Sequence, residues 1–174
     1  MIQINARCRP FIPSDRMSDK SVVQITDGSS LTVQKGDNER QYTFSNVFGP
    51  EATQEDVFAR SVRPILLDVV QGRNASVFHF GQTGSGKTYT LNGSHDHPGI
   101  IPFSVHEIFH LCEQQKTVWS TPHRYQISVS FLEENGGGLE DLQSEEYPRK
   151  VEKNALKVKV KQNEKKGNTS FKCD

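Results

Sequence analysis

The chain has 174 residues, with 21 Lys or Arg against 21 Asp or Glu, so its formal net charge at pH 7 is zero. This length suffices for one domain with a hydrophobic core, and the balanced charge creates no overall field that would attract nucleic acid. No apolar run approaches the about 20 residues of a membrane-spanning helix, and the N-terminus lacks the features of a signal peptide. Three cysteines, an odd number, fit a reducing compartment. We therefore expect a cytoplasmic protein without membrane or nucleic-acid partners.

The N-terminal part of the chain predicts a series of short strands. Residues 2–8 alternate apolar and polar side chains, which is the periodicity of a strand, and Pro10 ends it because proline cannot donate to a sheet ladder. Further strands are predicted at 21–25, 30–34 and 41–48.

A helix is predicted next. Thr53 and Asp56 have the spacing of a capping box, in which the hydroxyl and the acid each cover an unpaired backbone amide at the helix start. Apolar residues then recur at helical spacing over 57–70. Pro64 should kink this helix, and Gly72 should end it.

The remaining elements alternate between strand and helix. Residues 75–80 are mostly apolar and rich in β-formers, which is typical of a strand buried on both faces. A helix is predicted from Lys87, interrupted by a loop over 92–99. The elements predicted after this loop are a helix through 105–111 and strands at 125–132 and 156–160. This alternation indicates an α/β sandwich with a largely parallel sheet.

The strongest chemical signal is a glycine-rich loop between the strand at 75–80 and the helix from Lys87. It fits the pattern G-x-x-x-x-G-K-[ST] at every fixed position, and it has the strand and helix context that this motif requires. Glycines let successive backbone N–H groups point at phosphate oxygens, and the helix start adds its positive dipole end. Lys87 is expected to reach the β- and γ-phosphates, and the Thr88 hydroxyl to bind Mg²⁺. The loop is Gly81-Gln82-Thr83-Gly84-Ser85-Gly86-Lys87-Thr88.

Residues around and beyond this loop resemble the kinesin motor domain family. The segment from Phe78 to Leu91 is similar to the kinesin signature at the nucleotide pocket, and Arg7-Cys8-Arg9-Pro10 resembles the family's R-x-R-P element. Further segments agree in order and spacing: 42–48, Gly99-Ile100-Ile101-Pro102 with Ile108-Phe109, and 129–133.

The resemblance implies a P-loop NTPase-type three-layer sandwich that binds ATP and Mg²⁺. It implies catalytic roles for Lys87 and Thr88, and it assigns Arg7, Arg9 and Pro10 to the adenine side. Tyr89 would pack near the base, although a core aromatic is an equally good interpretation. For Arg7 and Arg9 the alternative is an exposed pair that forms salt bridges.

The sequence also departs from the family pattern. Residues 134–142 differ from the usual continuation of the central strand, and His79 stands where many relatives carry a small residue. Neither the N-x-x-S-S-R-S-H switch nor the D-L-A-G-S-E switch occurs. We therefore expect residues 1–174 to form the N-terminal part of a motor domain, incomplete at the C-terminal side of its sheet. Whether this chain is itself an ATPase stays open, the alternative being a truncated nucleotide- or tubulin-binding fragment without useful ATPase activity.

Residues 149–174 carry nine Lys or Arg against three acidic residues. The resemblance makes this region a hairpin, with arms at 156–160 and 171–173, of the kind that touches tubulin in kinesins. It implies a microtubule partner and a cytoskeletal location. The lysines assigned to this contact are Lys157, Lys159, Lys165 and Lys166. The alternative is a solvated charged edge.

A second motif competes with the first. His106, Glu107 and His110 fit H-E-x-x-H on a predicted helix, where two histidines could hold Zn²⁺ and the glutamate could activate water. No persuasive third ligand follows, so a zinc hydrolase is a minor alternative. The resemblance instead gives this helix a packing role, with Ile108 and Phe109 facing the sheet.

Overall fold

A computed structural model describes residues 2–13, 15, 21–118, 124–135, 138–143, 150–151, 158–163 and 168–173. The chain divides into two compact units, Met1–Leu111 and Cys112–Asp174, and each is described by itself.

Two small sheets open the first unit. In one, β1 (Asn5–Arg7) pairs in parallel with β5 (Asn46–Phe48), so that Arg7 lies opposite Phe48. In the other, β2 (Val23–Ile25), β3 (Ser30–Lys35) and β4 (Asn38–Thr43) form an antiparallel meander. The predicted strands in this region are thus confirmed, with 41–48 divided between β4 and β5.

The predicted kinked helix is confirmed as two helices, α1 (Gln54–Ser61) and α2 (Arg63–Val70). Thr53 caps α1 through the expected box, because its Oγ1 accepts from the N–H of Asp56 while the Asp56 carboxylate accepts from the N–H of Thr53. Pro64 lies in the first turn of α2, where its missing N–H is tolerated. Gly72 follows the end of α2, and its N–H donates to the Val69 carbonyl oxygen.

The hydrophobic core of the first unit lies between these helices, β5 and the last helix, α4 (Ile100–Val118). The rings of Phe58 on α1 and Phe103 on α4 stack with their centroids 5.2 Å apart. Such ring pairs add about 0.5–1.5 kcal/mol beyond simple burial. The buried members of the core are Phe48, Val57, Phe58, Val62, Leu66, Ile100 and Leu111.

The predicted helix after the glycine-rich loop is also found, and it is short. Helix α3 covers Lys87–Leu91 and is followed by the expected loop, which the N–H of Gly99 closes by donating to the Asn92 carbonyl oxygen. In α4, Ile108 packs against the core as expected. The side chain of Phe109 is 54% exposed, so its predicted packing role is wrong within the first unit.

The buried strand predicted at 75–80 is not formed. These residues have no regular secondary structure, and the side chains of Phe78 and Phe80 are 77% and 90% exposed. A strand is held by ladder hydrogen bonds to a neighbour, and none of the described segments pairs with this one. The prediction of a buried strand at 75–80 is therefore wrong, because an apolar run does not by itself provide a neighbouring strand.

The second unit contains two small sheets. One is an antiparallel meander of β7 (Leu132–Asn135), β8 (Gly138–Asp141) and β9 (Lys150–Val151). The other has β11 (Asn168–Cys173) between β6 (Arg124–Gln126), which is parallel to it, and β10 (Val158–Asn163), which is antiparallel.

Two predictions concern this unit. The hairpin near the end of the chain is confirmed in the pairing of β10 with β11, although its arms are 158–163 and 168–173. The strand predicted over 125–132 is interrupted, since 127–131 is irregular and Val129 is 57% exposed.

The fold class is therefore mixed α/β, but the predicted single, largely parallel sheet is replaced by small parallel and antiparallel sheets among the described residues. The reason is that both segments expected at its centre, 75–80 and 127–131, lack ladder partners there. No helix in the part of the chain that the structure describes is long and apolar enough to cross a bilayer.

The capping box provides a test of the first unit. Thr53→Ala removes the hydroxyl that accepts from the Asp56 N–H, and we expect it to lower the free energy of unfolding by about 1 kcal/mol. Urea denaturation followed by circular dichroism measures this loss. Thr53→Ser, which keeps the hydroxyl, is the control and should lose much less. Equal losses in the two variants would mean that the methyl group, not the cap, is what matters.

Candidate functional site

The glycine-rich loop, residues 81–88, has a backbone that only glycine adopts easily. Gly81, Gly84 and Gly86 have φ angles of 152°, 79° and 94°. A Cβ on Gly81 would collide with the Ser85 hydroxyl, so a side chain there would also require Ser85 to move. The sequence pattern thus predicted the positions at which the backbone turns against the usual steric preference.

The ammonium group of Lys87 is turned back into this loop. Its Nζ donates to the carbonyl oxygens of Gly81 and Gln82, each at 2.8 Å. A lysine ammonium has three donors, and these two bonds hold the positive charge within the curve of the loop. The loop therefore holds the Lys87 ammonium on its inner side, while residues 81–84 are exposed.

Thr88 and the start of α3 lie directly beside the lysine. The Thr88 residue is exposed, and Gly86 caps the helix without any side-chain hydrogen bond. Because α3 has only five residues, its dipole is weaker than that of a longer helix. Backbone N–H groups and the Lys87 charge are therefore the main electrostatic features of the loop.

Arg7 joins three elements at one edge of the loop. Its Nη1 donates to Gln54 Oε1 at 2.6 Å and to Thr90 Oγ1 at 2.9 Å, and its Nη2 donates to the Ala52 carbonyl oxygen at 3.3 Å. The guanidinium carbon also lies 5.5 Å from the centre of the Tyr89 ring, a cation–π distance. Partial burial lowers the pKa of Arg7, and the neighbouring Tyr89 opposes that shift. Arg7 thus connects β1 with α1 and α3.

Arg9 has a different environment. Its guanidinium forms two hydrogen bonds of 2.7 Å with the two carboxylate oxygens of Asp15. The bonds from Arg9, with a further one from the Ile12 N–H, lower the pKa of Asp15 to about 2, so this carboxylate is ionised at neutral pH. A Cβ on Gly86 would lie 3.9 Å from the Arg9 Cδ, which places the arginine stem beside the loop.

Three further residues complete the surroundings of the loop. Tyr89 is 45% exposed, and Pro10 is exposed. Partial burial, assisted by the positive charge of Arg7, lowers the pKa of His79 from its ordinary value. Tyr89 therefore places a half-exposed aromatic ring next to the glycine-rich loop.

Sequence reasoning missed two residues of this site. Gln54 is buried and bonds both Arg7 and the backbone of Tyr89, while Asp15 orients Arg9. Neither belongs to a motif, because each is identified only by contacts that the fold creates. The position of Gln54 directly after the cap Thr53 was the one available signal, since it fixed Gln54 in the first turn of α1.

The H-E-x-x-H residues lie on α4, and the glutamate has another role. Glu107 is nearly buried, and its Oε1 accepts from Arg63 Nε at 2.8 Å. His106 and His110 are exposed. In the described part of the chain, no group of three His, Cys, Asp or Glu side chains is placed to hold a metal ion. An ion pair that links α2 to α4 accounts for Glu107 better than water activation does.

The four lysines assigned to tubulin are largely outside the described residues. Lys157, Lys165 and Lys166 are not described, and Lys159 belongs to β10 with only its backbone described. Their role therefore stays a prediction.

Comparison with known proteins gives a consistent result. The family model for the kinesin motor domain matches residues 7–172. The chain is 35% identical over 151 residues to the kinesin-like protein tea2 of Schizosaccharomyces pombe, covering 86% of this chain and 23% of that protein. It is 39% identical over 136 residues to the kinesin-like protein KIF22 of Danio rerio, covering 76% and 21%. For the kinesin-like protein KIN-5B of Oryza sativa subsp. japonica, the identity is 33% over 174 residues, covering 90% and 16%. The chain thus spans less than a quarter of the length of each of these relatives.

The Arg63–Glu107 pair predicts a structural effect that is independent of metal. Arg63→Ala leaves a nearly buried carboxylate without this charged donor, so we expect a loss of about 1–3 kcal/mol in the free energy of unfolding. Glu107→Gln retains a carbonyl oxygen for Arg63 and should lose less. Urea denaturation with and without EDTA measures both effects, and EDTA should shift neither midpoint. Stoichiometric zinc in the purified chain, or a clear effect of EDTA, would favour the metal interpretation instead.

Proposed function

Because the chain belongs to the kinesin motor domain family, we propose that it supplies the nucleotide-binding part of an ATP-driven, microtubule-based motor. The observation that carries this proposal is the loop at 81–88, in which three glycines take left-handed backbone angles and Lys87 turns its ammonium inward. Kinesin motor domains bind ATP and Mg²⁺, and this family membership supports the same ligands for this chain.

The residues of the loop fit a polyphosphate in their chemistry. Glycine at 81 is favoured by its positive φ angle, and the absence of a Cβ at 84 and 86 leaves the backbone there uncovered by side chains. Lys87 supplies a positive charge that now rests on two carbonyl oxygens. Carbonyls are neutral acceptors, so a phosphate group competes well with them for this ammonium.

We assign the contact with the β- and γ-phosphates to Lys87 and the metal contact to Thr88. The backbone of Gly81, Gln82, Thr83, Gly84, Ser85 and Gly86 holds the phosphates through its N–H groups. Mg²⁺ held by Thr88 would neutralise phosphate charge, which is the chemistry that the metal would supply at this site. Lys87 acts by the charge of its ammonium group and by its position in the loop.

The base is assigned to the side of the loop formed by Pro10, Arg9 and Tyr89. The half-exposed Tyr89 ring offers a face for stacking, and such stacking contributes about 1–3 kcal/mol per base. Arg7 belongs to this side as a support, since its guanidinium donors are directed to Gln54, Thr90 and Ala52. Arg9 contributes its stem beside Gly86 while Asp15 holds its charged end.

A second candidate function is nucleotide or tubulin binding without useful ATP turnover. It is favoured by one observation, that neither switch motif of kinesins occurs among these 174 residues. In the family those motifs sense the γ-phosphate and position water, and the loop at 81–88 provides no substitute for either task. The two candidates share the phosphate site and differ only in turnover.

We further propose that the partner is the microtubule and that the location is the cytoskeleton within the cytoplasm. Family membership supports this proposal, as does the cationic character of residues 149–174. Attraction between these cationic residues and an acidic filament surface should decrease with salt.

Replacement of Lys87 tests the phosphate site. Lys87→Ala removes the ammonium, and we expect Mg-ATP affinity to fall about 10- to 100-fold, the effect of losing a charge-assisted hydrogen bond. Isothermal titration calorimetry measures binding, and phosphate release with and without microtubules measures turnover. Lys35→Ala, a change at the exposed end of β3, is the matched control and should bind as the unaltered chain does.

The outcomes separate the candidates. Binding with microtubule-stimulated turnover supports the motor, while binding without turnover supports the second candidate. Equal affinities for ATP in the Lys87→Ala variant and the unaltered chain would contradict both.

Charge reversal tests the microtubule partner. Replacing Lys157, Lys159, Lys165 and Lys166 by Glu should reduce microtubule cosedimentation at low salt by about tenfold or more, because attraction becomes repulsion. The control carries Lys35→Glu and Arg40→Glu on β3 and β4, and it should sediment like the unaltered chain. Unchanged binding of the quadruple variant would contradict a tubulin contact and favour the alternative, in which these lysines form a solvated charged edge.

A further inference from the structure

Gln54 is a buried side chain near the loop, and both polar atoms of its amide are hydrogen-bonded. It is 6% exposed. Its Oε1 accepts from Arg7 Nη1 at 2.6 Å, and its Nε2 donates to the carbonyl oxygen of Tyr89, also at 2.6 Å. One amide therefore bridges β1, where Arg7 lies, and α3, which follows the loop.

The partners determine which way the amide faces. A guanidinium has only donors and a carbonyl has only an acceptor, so the Gln54 oxygen must face Arg7 and its nitrogen must face Tyr89. Only an amide satisfies both neighbours at this position. A carboxylate would meet the Tyr89 carbonyl with no donor, and an apolar side chain would leave both groups without this partner.

The bond to Tyr89 replaces one that the helix cannot make. The last four carbonyls of a helix have no intrahelical partner, and α3 ends at Leu91. Within α3, the N–H of Asn92 donates to Thr88. The next carbonyl along, that of Tyr89, accepts from Gln54. Gln54 thus completes the end of α3 at the residue whose ring borders the loop.

Arg7 connects the same two residues from the other side. It donates to Gln54 and to Thr90, and it lies over the Tyr89 ring at 5.5 Å. The Tyr89 backbone is held by Gln54 while its ring is held by Arg7. Since Arg7 is itself held by Gln54, loss of the amide removes one support from the backbone and another from the ring.

We propose that Gln54 is a positioning residue for nucleotide base binding, which orients Tyr89 so that its exposed ring face can stack on a purine. This proposal rests on the proposed function, because it concerns the base side of the same site. It separates two tasks, with Lys87 and the glycines holding the phosphates and the Gln54–Arg7–Tyr89 group holding the base. Changes at Gln54 should therefore affect ligands that carry a base and spare ligands that do not.

The test compares Mg-ATP with magnesium tripolyphosphate, which has the phosphates but no base. In Gln54→Met and Gln54→Glu, we expect the Kd for ATP to rise about 5- to 20-fold, as expected for impaired stacking. The Kd for tripolyphosphate should stay within about twofold of its original value. Gln54→Glu keeps an acceptor for Arg7, so it isolates the bond to Tyr89 if Gln54→Met folds poorly.

A double-mutant cycle shows whether Gln54 acts through Tyr89. In a Tyr89→Ala background the ring is gone, so Gln54→Met should weaken ATP binding no further. Additive losses would overturn the proposal, as would an equal loss of affinity for both ligands, which would make Gln54 a general support of the fold. Unaltered ATP affinity in both Gln54 variants would overturn the role of Gln54 but leave the proposed nucleotide site intact. If the unaltered chain binds neither ligand, the proposed function fails first and this inference with it.

Discussion

The candidate site of this chain depends on one partly buried contact, in which the Arg7 guanidinium and the Gln54 amide join β1, the start of α1 and α3. Two of these elements are too short to hold their places alone, since β1 has three residues and α3 has five. Their positions are instead determined by polar groups with complementary donors and acceptors, at 2.6–2.9 Å. In a partly buried setting such bonds are worth more than in water, and the cost of leaving one unmade is high. The alignment of the loop at 81–88 with residues 7–10 follows from this contact.

This arrangement divides the site into a part that is locally determined and a part that is not. The loop takes its shape from three glycine backbones and from Lys87, which bonds carbonyls only five and six residues away. It therefore keeps its curve although the preceding segment, 75–80, is not a strand. The base side instead brings together residues separated by 35 to 83 positions in the chain. Phosphate binding should accordingly be the more robust property, and base binding the more sensitive to damage elsewhere.

The same division explains what could be predicted from the sequence. The capping box, the break near Pro64, the helix start at Lys87 and the loop before Gly99 were predictable because each is encoded within a few residues. The strand at 75–80 was not, because an apolar run specifies a preference for burial but not the neighbour that provides it. In the site, the loop residues were identified from their motif. Gln54 and Asp15 could not be, since their roles arise from partners that only the fold brings near.

Two exposed aromatic residues, Phe78 and Phe80, lie directly before the glycine-rich loop. Their rings stack on each other with centroids 6.5 Å apart while both remain largely exposed. Apolar surface of this kind gains free energy when it is covered. Covering it would fix the residues immediately before Gly81, and therefore the carbonyls of Gly81 and Gln82 that now accept from Lys87. Under the proposed function, a bound phosphate would draw the Lys87 ammonium away from the same carbonyls. Lys87 would then be the side chain through which packing of the segment 75–80 and phosphate binding in the loop influence each other.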